Sequence, residues 1–148
     1  MNNNYGKIAL IMVVVLATVI VSGCIGDSTD KFTKEVNVEG VTFFLPDGFE
    51  QTDSRDNGIN RAYDFSDGTD TIVIIYYPGA SKALILSQMK ASSAFTNIQE
   101  DVSYGGISGH TAGDTQSKTF VFEKNGKTFA IVLGNNLNFE EYIPKILG

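Results

Sequence analysis

Seven consecutive residues, Thr71-Ile72-Val73-Ile74-Ile75-Tyr76-Tyr77, are all β-branched or aromatic, and Pro78-Gly79 closes the run. Successive side chains of a strand point to opposite faces of its sheet, so an uninterrupted apolar run of this length fits a central strand buried on both sides. A fold built around it must cover both faces. Phe43-Phe44 makes the same demand as Tyr76-Tyr77, each pair placing one ring on either side. An open aromatic binding platform does not fit this pattern.

The remaining punctuation places the other elements. Glu35-Val36-Asn37-Val38 alternates, Glu39-Gly40 supplies a two-residue turn, and residues 41–45 return as its partner. Pro46-Asp47-Gly48-Phe49 is a turn, and the polar stretch 50–58 reads as a loop. Residues 60–66 alternate less cleanly before Asp67-Gly68 turns the chain into the central strand. Ser81 fits an N-cap for a helix reaching Ala94, with Leu84, Ile85, Met89 and Phe95 at helical spacing. Residues 102–108 read as a strand interrupted by Gly105-Gly106. Residues 115–124 and 127–133 flank Asn125-Gly126, a strong hairpin signal. Asn138 can cap a last helix from Phe139 to Leu147, with Glu140 and Glu141 at its positive end. Pro144 is expected to shorten or bend that helix.

Hairpin-joined strands with two helices predict an α+β domain. The expectation is a largely antiparallel sheet of six to seven strands with helices packed on it. The length, 148 residues with ten phenylalanines and six tyrosines, suits one such domain. A net charge of −6 argues against a broad electrostatic grip on nucleic acid. The single cysteine excludes an internal disulfide and any multi-cysteine zinc site.

The mean hydropathy of +0.01 conceals two unlike segments. Residues 1–23 carry one charge, Lys7, and residues 8–21 are apolar except for Thr18. At about 1.5 Å per residue those fourteen residues span roughly 21 Å as a helix, short of the ~30 Å hydrocarbon core, so the stretch reads as a secretory signal. Val21-Ser22-Gly23-Cys24 resembles the lipobox of prokaryotic lipoproteins. The whole leader is similar to those of small membrane-anchored proteins of archaeal methanogens. The resemblance implies a signal peptide over 1–23, cleavage between Gly23 and Cys24, and lipid on Cys24. A retained N-terminal helix is the alternative tether. Removing 23 of the 148 residues leaves 125, with ten basic and seventeen acidic side chains and a net charge of −7. Residues 24–34 then read as the lipidated cysteine and a short polar tether, and residues 35–148 as the domain.

A second resemblance rests on Gly40-Val41-Thr42-Phe43-Phe44-Leu45-Pro46-Asp47-Gly48-Phe49, on Gly105-Gly106-Ile107-Ser108-Gly109, and on Phe120-Val121-Phe122-Glu123-Lys124-Asn125-Gly126-Lys127 followed by Phe129-Ala130-Ile131. These segments look like those of PsbP/Mog1-type domains. The resemblance implies an α/β/α sandwich used as an accessory or binding module, and it carries over no catalytic residue. The C-terminus departs from that pattern: such domains often end in a Ser-Phe strand after the helix, where this chain reads Ile146-Leu147-Gly148.

His110, flanked by Gly109 and a Thr-Ala-Gly run, reads as a solvated loop histidine. As a general base it needs a nucleophile and an orienting acid, for which Ser108 and Asp114 are the nearest candidates in sequence. Asp53, Arg55, Asn57 and Gly58 imitate the start of an EF-hand, but Arg55 stands where a ligand oxygen is required. Asp64, Asp67 and Asp70 around Gly68 are a candidate cation site, set against a polar turn that favours Asp-Gly. Gly105-Gly106-Ile107-Ser108-Gly109 lacks the Lys-Ser/Thr ending of a phosphate loop, and reads as strand backbone that admits close approach.

The sequence therefore predicts a membrane-tethered domain facing outside the cytoplasm. It would act as a non-catalytic binding or accessory module of the cell envelope, without metal or cofactor. The partner would be an envelope protein or a small ligand. The alternatives are an envelope hydrolase centred on His110 and a cation-binding module using Asp64, Asp67 and Asp70.

Overall fold

The computed structural model describes residues 30–148. The expected signal peptide, the Gly23–Cys24 cleavage site and the lipidation site Cys24 lie outside the described residues.

The domain is α+β. Its sheet has seven strands, all paired antiparallel, in the order β3-β4-β5-β9-β8-β7-β6. These are β3 (Glu50–Asp56), β4 (Arg61–Ser66), β5 (Thr71–Tyr77), β6 (Thr96–Tyr104), β7 (Ile107–Gly113), β8 (Ser117–Lys124) and β9 (Lys127–Gly134). A separate hairpin of β1 (Lys34–Val38) and β2 (Val41–Leu45) lies outside that sheet. The helices are α1 (Lys82–Ala91), between β5 and β6, and α2 (Phe139–Leu147), at the end.

The run 71–77 is central, as its composition requires. It is β5, hydrogen-bonded between β4 and β9. Register sorts its side chains onto two faces. Ile72, Ile74 and Tyr76 oppose Leu133, Ile131 and Phe129 of β9, while Val73, Ile75 and Tyr77 oppose Val132, Ala130 and Thr128. The first face packs under the β1–β2 hairpin and α2, where Phe43, Leu45, Phe120, Phe122, Phe129, Ile143 and Ile146 are fully buried. The second face packs under α1, through Ile85 and Met89, and under Phe95. Burial of these faces removes large apolar areas from water and is the main term favouring the fold.

Both helices start where their caps predict. The Ser81 hydroxyl accepts from Leu84 N–H at 3.2 Å, and the Asn138 side chain accepts from Glu141 N–H at 3.4 Å. These side chains satisfy backbone donors that have no partner inside the helix. Pro144 does not stop α2, which continues to Leu147. Leu84 points away from the buried stripe of α1 and is 39% exposed; the stripe runs through Ile85 and Met89.

Four expectations are corrected. The helix expected to reach Ala94 ends at Ala91, where Ser92 turns to extended backbone as its C-cap, so Phe95 lies beyond it. Residues 50–56, read as loop, form the edge strand β3. Its side chains are exposed except Arg55, so its sequence has no apolar period, and only backbone pairing with β4 reveals it. Gly105-Gly106 does not interrupt one strand. Both glycines have positive φ, 55° and 79°, and they turn β6 into β7. His110 does not lie in a solvated loop; it is in the middle of β7 and 5% exposed.

Close approach is the reason for glycine at position 109. A Cβ there would lie 2.2 Å from the Val121 carbonyl oxygen and 2.5 Å from Cε2 of Phe120. The oxygen belongs to the neighbouring strand and cannot move without disturbing β7–β8 pairing. Gly109→Ala is expected to cost about 2–3 kcal/mol, at the upper end for overpacking. Gly113→Ala, whose Cβ would meet nothing nearer than 3.5 Å, is expected to be close to neutral. Urea denaturation of both variants checks the contrast.

Candidate functional site

The strands give the sheet two ends. One end gathers the turns at 46–49, 67–70, 114–116 and 135–138; the other gathers those at 39–40, 57–60, 78–81, 105–106 and 125–126. They are called here the proximal and distal ends. Two polar clefts open at the distal end.

The first cleft, about 320 Å³, is lined by Glu39, Ser54, Arg55, Asp56, Arg61 and Tyr63, together with Ala62. Its organiser is Glu39, in the β1–β2 turn with φ of 53° beside Gly40 at 82°. Two successive positive-φ residues make a turn that matches strand twist. The Glu39 carboxylate accepts two hydrogen bonds from Arg61 Nη1, each 3.0 Å, and one from the Tyr63 hydroxyl at 2.5 Å. Its backbone carbonyl accepts from Lys127 Nζ. Arg61 also donates through Nε to Asp56 at 2.9 Å. The Tyr63 hydrogen bond, followed by Arg61, holds Glu39 below the usual carboxylate range despite burial. The same bond and burial push Tyr63 up to about 12. The cluster thus has its charges mutually paired, and it fastens the tip of the hairpin to the sheet.

The second cleft, about 350 Å³, lies between Tyr76, Ser81, Glu123 and Lys127. Here too the polar groups serve the fold. Ser81 caps α1, and Glu123 Oε1 accepts from Lys82 N–H at 3.0 Å at the same positive helix end.

The carboxylates expected to group around Gly68 are not brought together. Asp64 lies in β4, opposite Val73, and accepts from Arg55 Nη2 at 2.6 and 2.8 Å. Burial raises its pKa, with Arg55 opposing. Asp67 accepts from the N–H groups of Thr69 and Asp70, each 2.8 Å, and closes the turn. Asp70 accepts from Asn136 at 3.4 Å. Among the described residues, no group of three or more His, Cys, Asp or Glu side chains is placed to hold a metal ion.

His110 Nδ1 accepts from Asp101 N–H at 3.4 Å. Asp114 is engaged elsewhere, by the N–H groups of Gln116 and Ser117 at 2.6 and 2.7 Å, and Ser108 shows no hydrogen bond to the ring. The ring faces Lys82 and Lys90 from α1 and Glu100 and Asp101 from β6. Burial first, then the Lys82 charge, lowers its pKa, with the acidic pair opposing. The unfolded chain therefore binds a proton that the folded one resists. Stability from this residue is fully present above the unfolded value, about 6.5, and is lost as pH falls through the lower folded value. The expected result is a fall in unfolding free energy on acidification below about pH 6.5 that His110→Gln flattens, measured by urea titration across that window.

The Glu39–Arg61–Tyr63 cluster was missed by sequence reasoning. Its members are 22 and 24 residues apart, and the only local signal was the Glu39-Gly40 turn. Glu140 and Glu141 do sit in the first turn of α2, as expected from the helix dipole, and pair with Lys118 and Lys145 at 2.8 and 2.6 Å.

Comparison with known proteins finds no matching family model, no matching curated protein and no matching solved structure.

Proposed function

We propose that this protein is a lipid-anchored lipoprotein whose domain faces outside the cytoplasm and serves as a non-catalytic binding or accessory module of the cell envelope. The leader pattern ending in Val21-Ser22-Gly23-Cys24 is the observation that carries the anchor. The position of the fold is in keeping with it. The two cores draw, among the described residues, on positions 32 to 147, and Asp30, six residues along the chain from Cys24, accepts a hydrogen bond from Tyr142. Among the described residues, no helix is long and apolar enough to cross a membrane.

The binding or accessory role is favoured by the state of the polar groups. Glu39, Arg61, Asp64, Asp67, Asp114 and Glu123 are each held in contacts that build the fold. We assign the fold to the PsbP/Mog1 type on the same footing. The segment 40–49 that carries the resemblance forms β2 and the following turn, with Phe43, Leu45 and Phe49 buried against the sheet.

A chain beginning at Asp30 is expected to fold with a single cooperative transition and to leave the membrane fraction, while the full chain stays in it. Fractionation with circular dichroism of both chains tests this. A shortened chain that remains on membranes contradicts an anchor located in the leader.

A further inference from the structure

The first described residues are fastened to the domain. Phe32 meets the Tyr142 ring edge-on, 5.0 Å between centroids, and Lys145 Nζ lies 5.2 Å from the centre of the Phe32 ring. The Tyr142 hydroxyl donates to Asp30, the Lys31 carbonyl accepts from Asp47 N–H at 2.8 Å, and the Thr33 hydroxyl donates to Asp47. Residues 30–33 thus form a latch against α2 and the turn at 46–49. That turn belongs to the proximal end, and Tyr142 lies one turn into α2 from the proximal loop 135–138.

We propose that this latch turns the proximal end of the domain toward the bilayer and holds the distal end, with its two polar clefts, away from it. The proposal rests on the lipid-anchor reading above. Between Cys24 and Asp30 lie five residues, so the latch stands at most roughly 20 Å from the lipidated residue. The sheet itself adds length: the eight residues of β9 span about 26 Å from its distal to its proximal end. A chain that stayed free to residue 34 would add roughly 13 Å of slack and let the domain pivot. Charge does not set this orientation. The proximal turns carry Asp47, Asp67, Asp70 and Asp114, which repel an anionic surface, so covalent attachment and the latch must hold this end down.

The test uses full-length protein, purified from membranes and reconstituted in neutral phospholipid vesicles containing a nickel-chelating headgroup lipid. Thr69→Cys at the proximal end and Ser103→Cys beside the distal 105–106 turn, both exposed positions, receive a nitroxide label. Strong relaxation by surface nickel at position 69 and several-fold weaker relaxation at 103, unchanged by added salt, is the expected result. Phe32→Ala should reduce that contrast while leaving membrane binding intact. Equal relaxation at the two positions in membrane-bound protein overturns the orientation and leaves the anchor reading standing. Protein that does not associate with vesicles, or that takes up a second label on a free Cys24 thiol, overturns both.

Discussion

Phe129→Ala is expected to remove about 3–5 kcal/mol of stability, the range for deleting a buried phenylalanine ring. Its ring is fully buried on the first face of the sheet. It meets Phe43 of the hairpin at 5.2 Å between centroids, Tyr76 of β5 at 5.5 Å and Phe122 of β8 at 5.9 Å. One side chain therefore joins three elements, and its loss leaves a cavity that none can close without moving the hairpin. Offset and edge-to-face aromatic pairs add about 0.5–1.5 kcal/mol each beyond area burial, so the upper half of the range is expected. The domain has only about 5–15 kcal/mol in total. In urea the midpoint should fall sharply with the slope unchanged. Leu84→Ala, at an exposed position of α1, should stay within about 0.5 kcal/mol of the parent. Equal effects at the two positions contradict the layered core described here.

Cys24→Ser is expected to abolish stable membrane attachment, or to leave an uncleaved precursor held by its leader. A buried acyl methylene contributes about 0.8 kcal/mol, and one chain holds a protein only marginally, so lasting attachment needs two chains or a retained helix. Serine offers no thiol for the lipid, and the acidic domain adds no attraction to anionic lipid. Exchanging one sulfur for oxygen is expected to leave the fold of residues 30–148 intact. Membrane fractionation with metabolic lipid labelling reads both outcomes. A Cys24→Ser chain that is processed and labelled like the parent contradicts the lipobox reading.

Much of the fold was legible from residue pattern. The run 71–77 located an interior strand buried on both faces, Asn125-Gly126 gave the β8–β9 hairpin, and Ser81 and Asn138 gave both helix starts. What was not legible depends on partners distant in sequence. β3 is exposed along nearly its whole length, and an edge strand of this kind has no apolar period to read. The β1–β2 hairpin was recognised as a hairpin, but nothing local indicated that it leaves the main sheet and covers its first face. His110 looked like a loop residue because glycines flank it. Gly109 is there because Phe120 and the Val121 carbonyl occupy the space of a side chain. At the candidate site, turn residues were visible, whereas the Glu39–Arg61–Tyr63 cluster exists only after the hairpin docks on β4. The three aspartates near Gly68 were close in sequence, yet strand pleating and Arg55 take Asp64 out of the group.

The lipid anchor proposed at Cys24 is tested most directly by the mass of the N-terminal peptide of the protein isolated from its native membrane. A peptide that begins at Cys24 and carries the added mass of lipid is the predicted result. A peptide that retains residues of the leader, or that begins at Cys24 with an unmodified thiol, contradicts it.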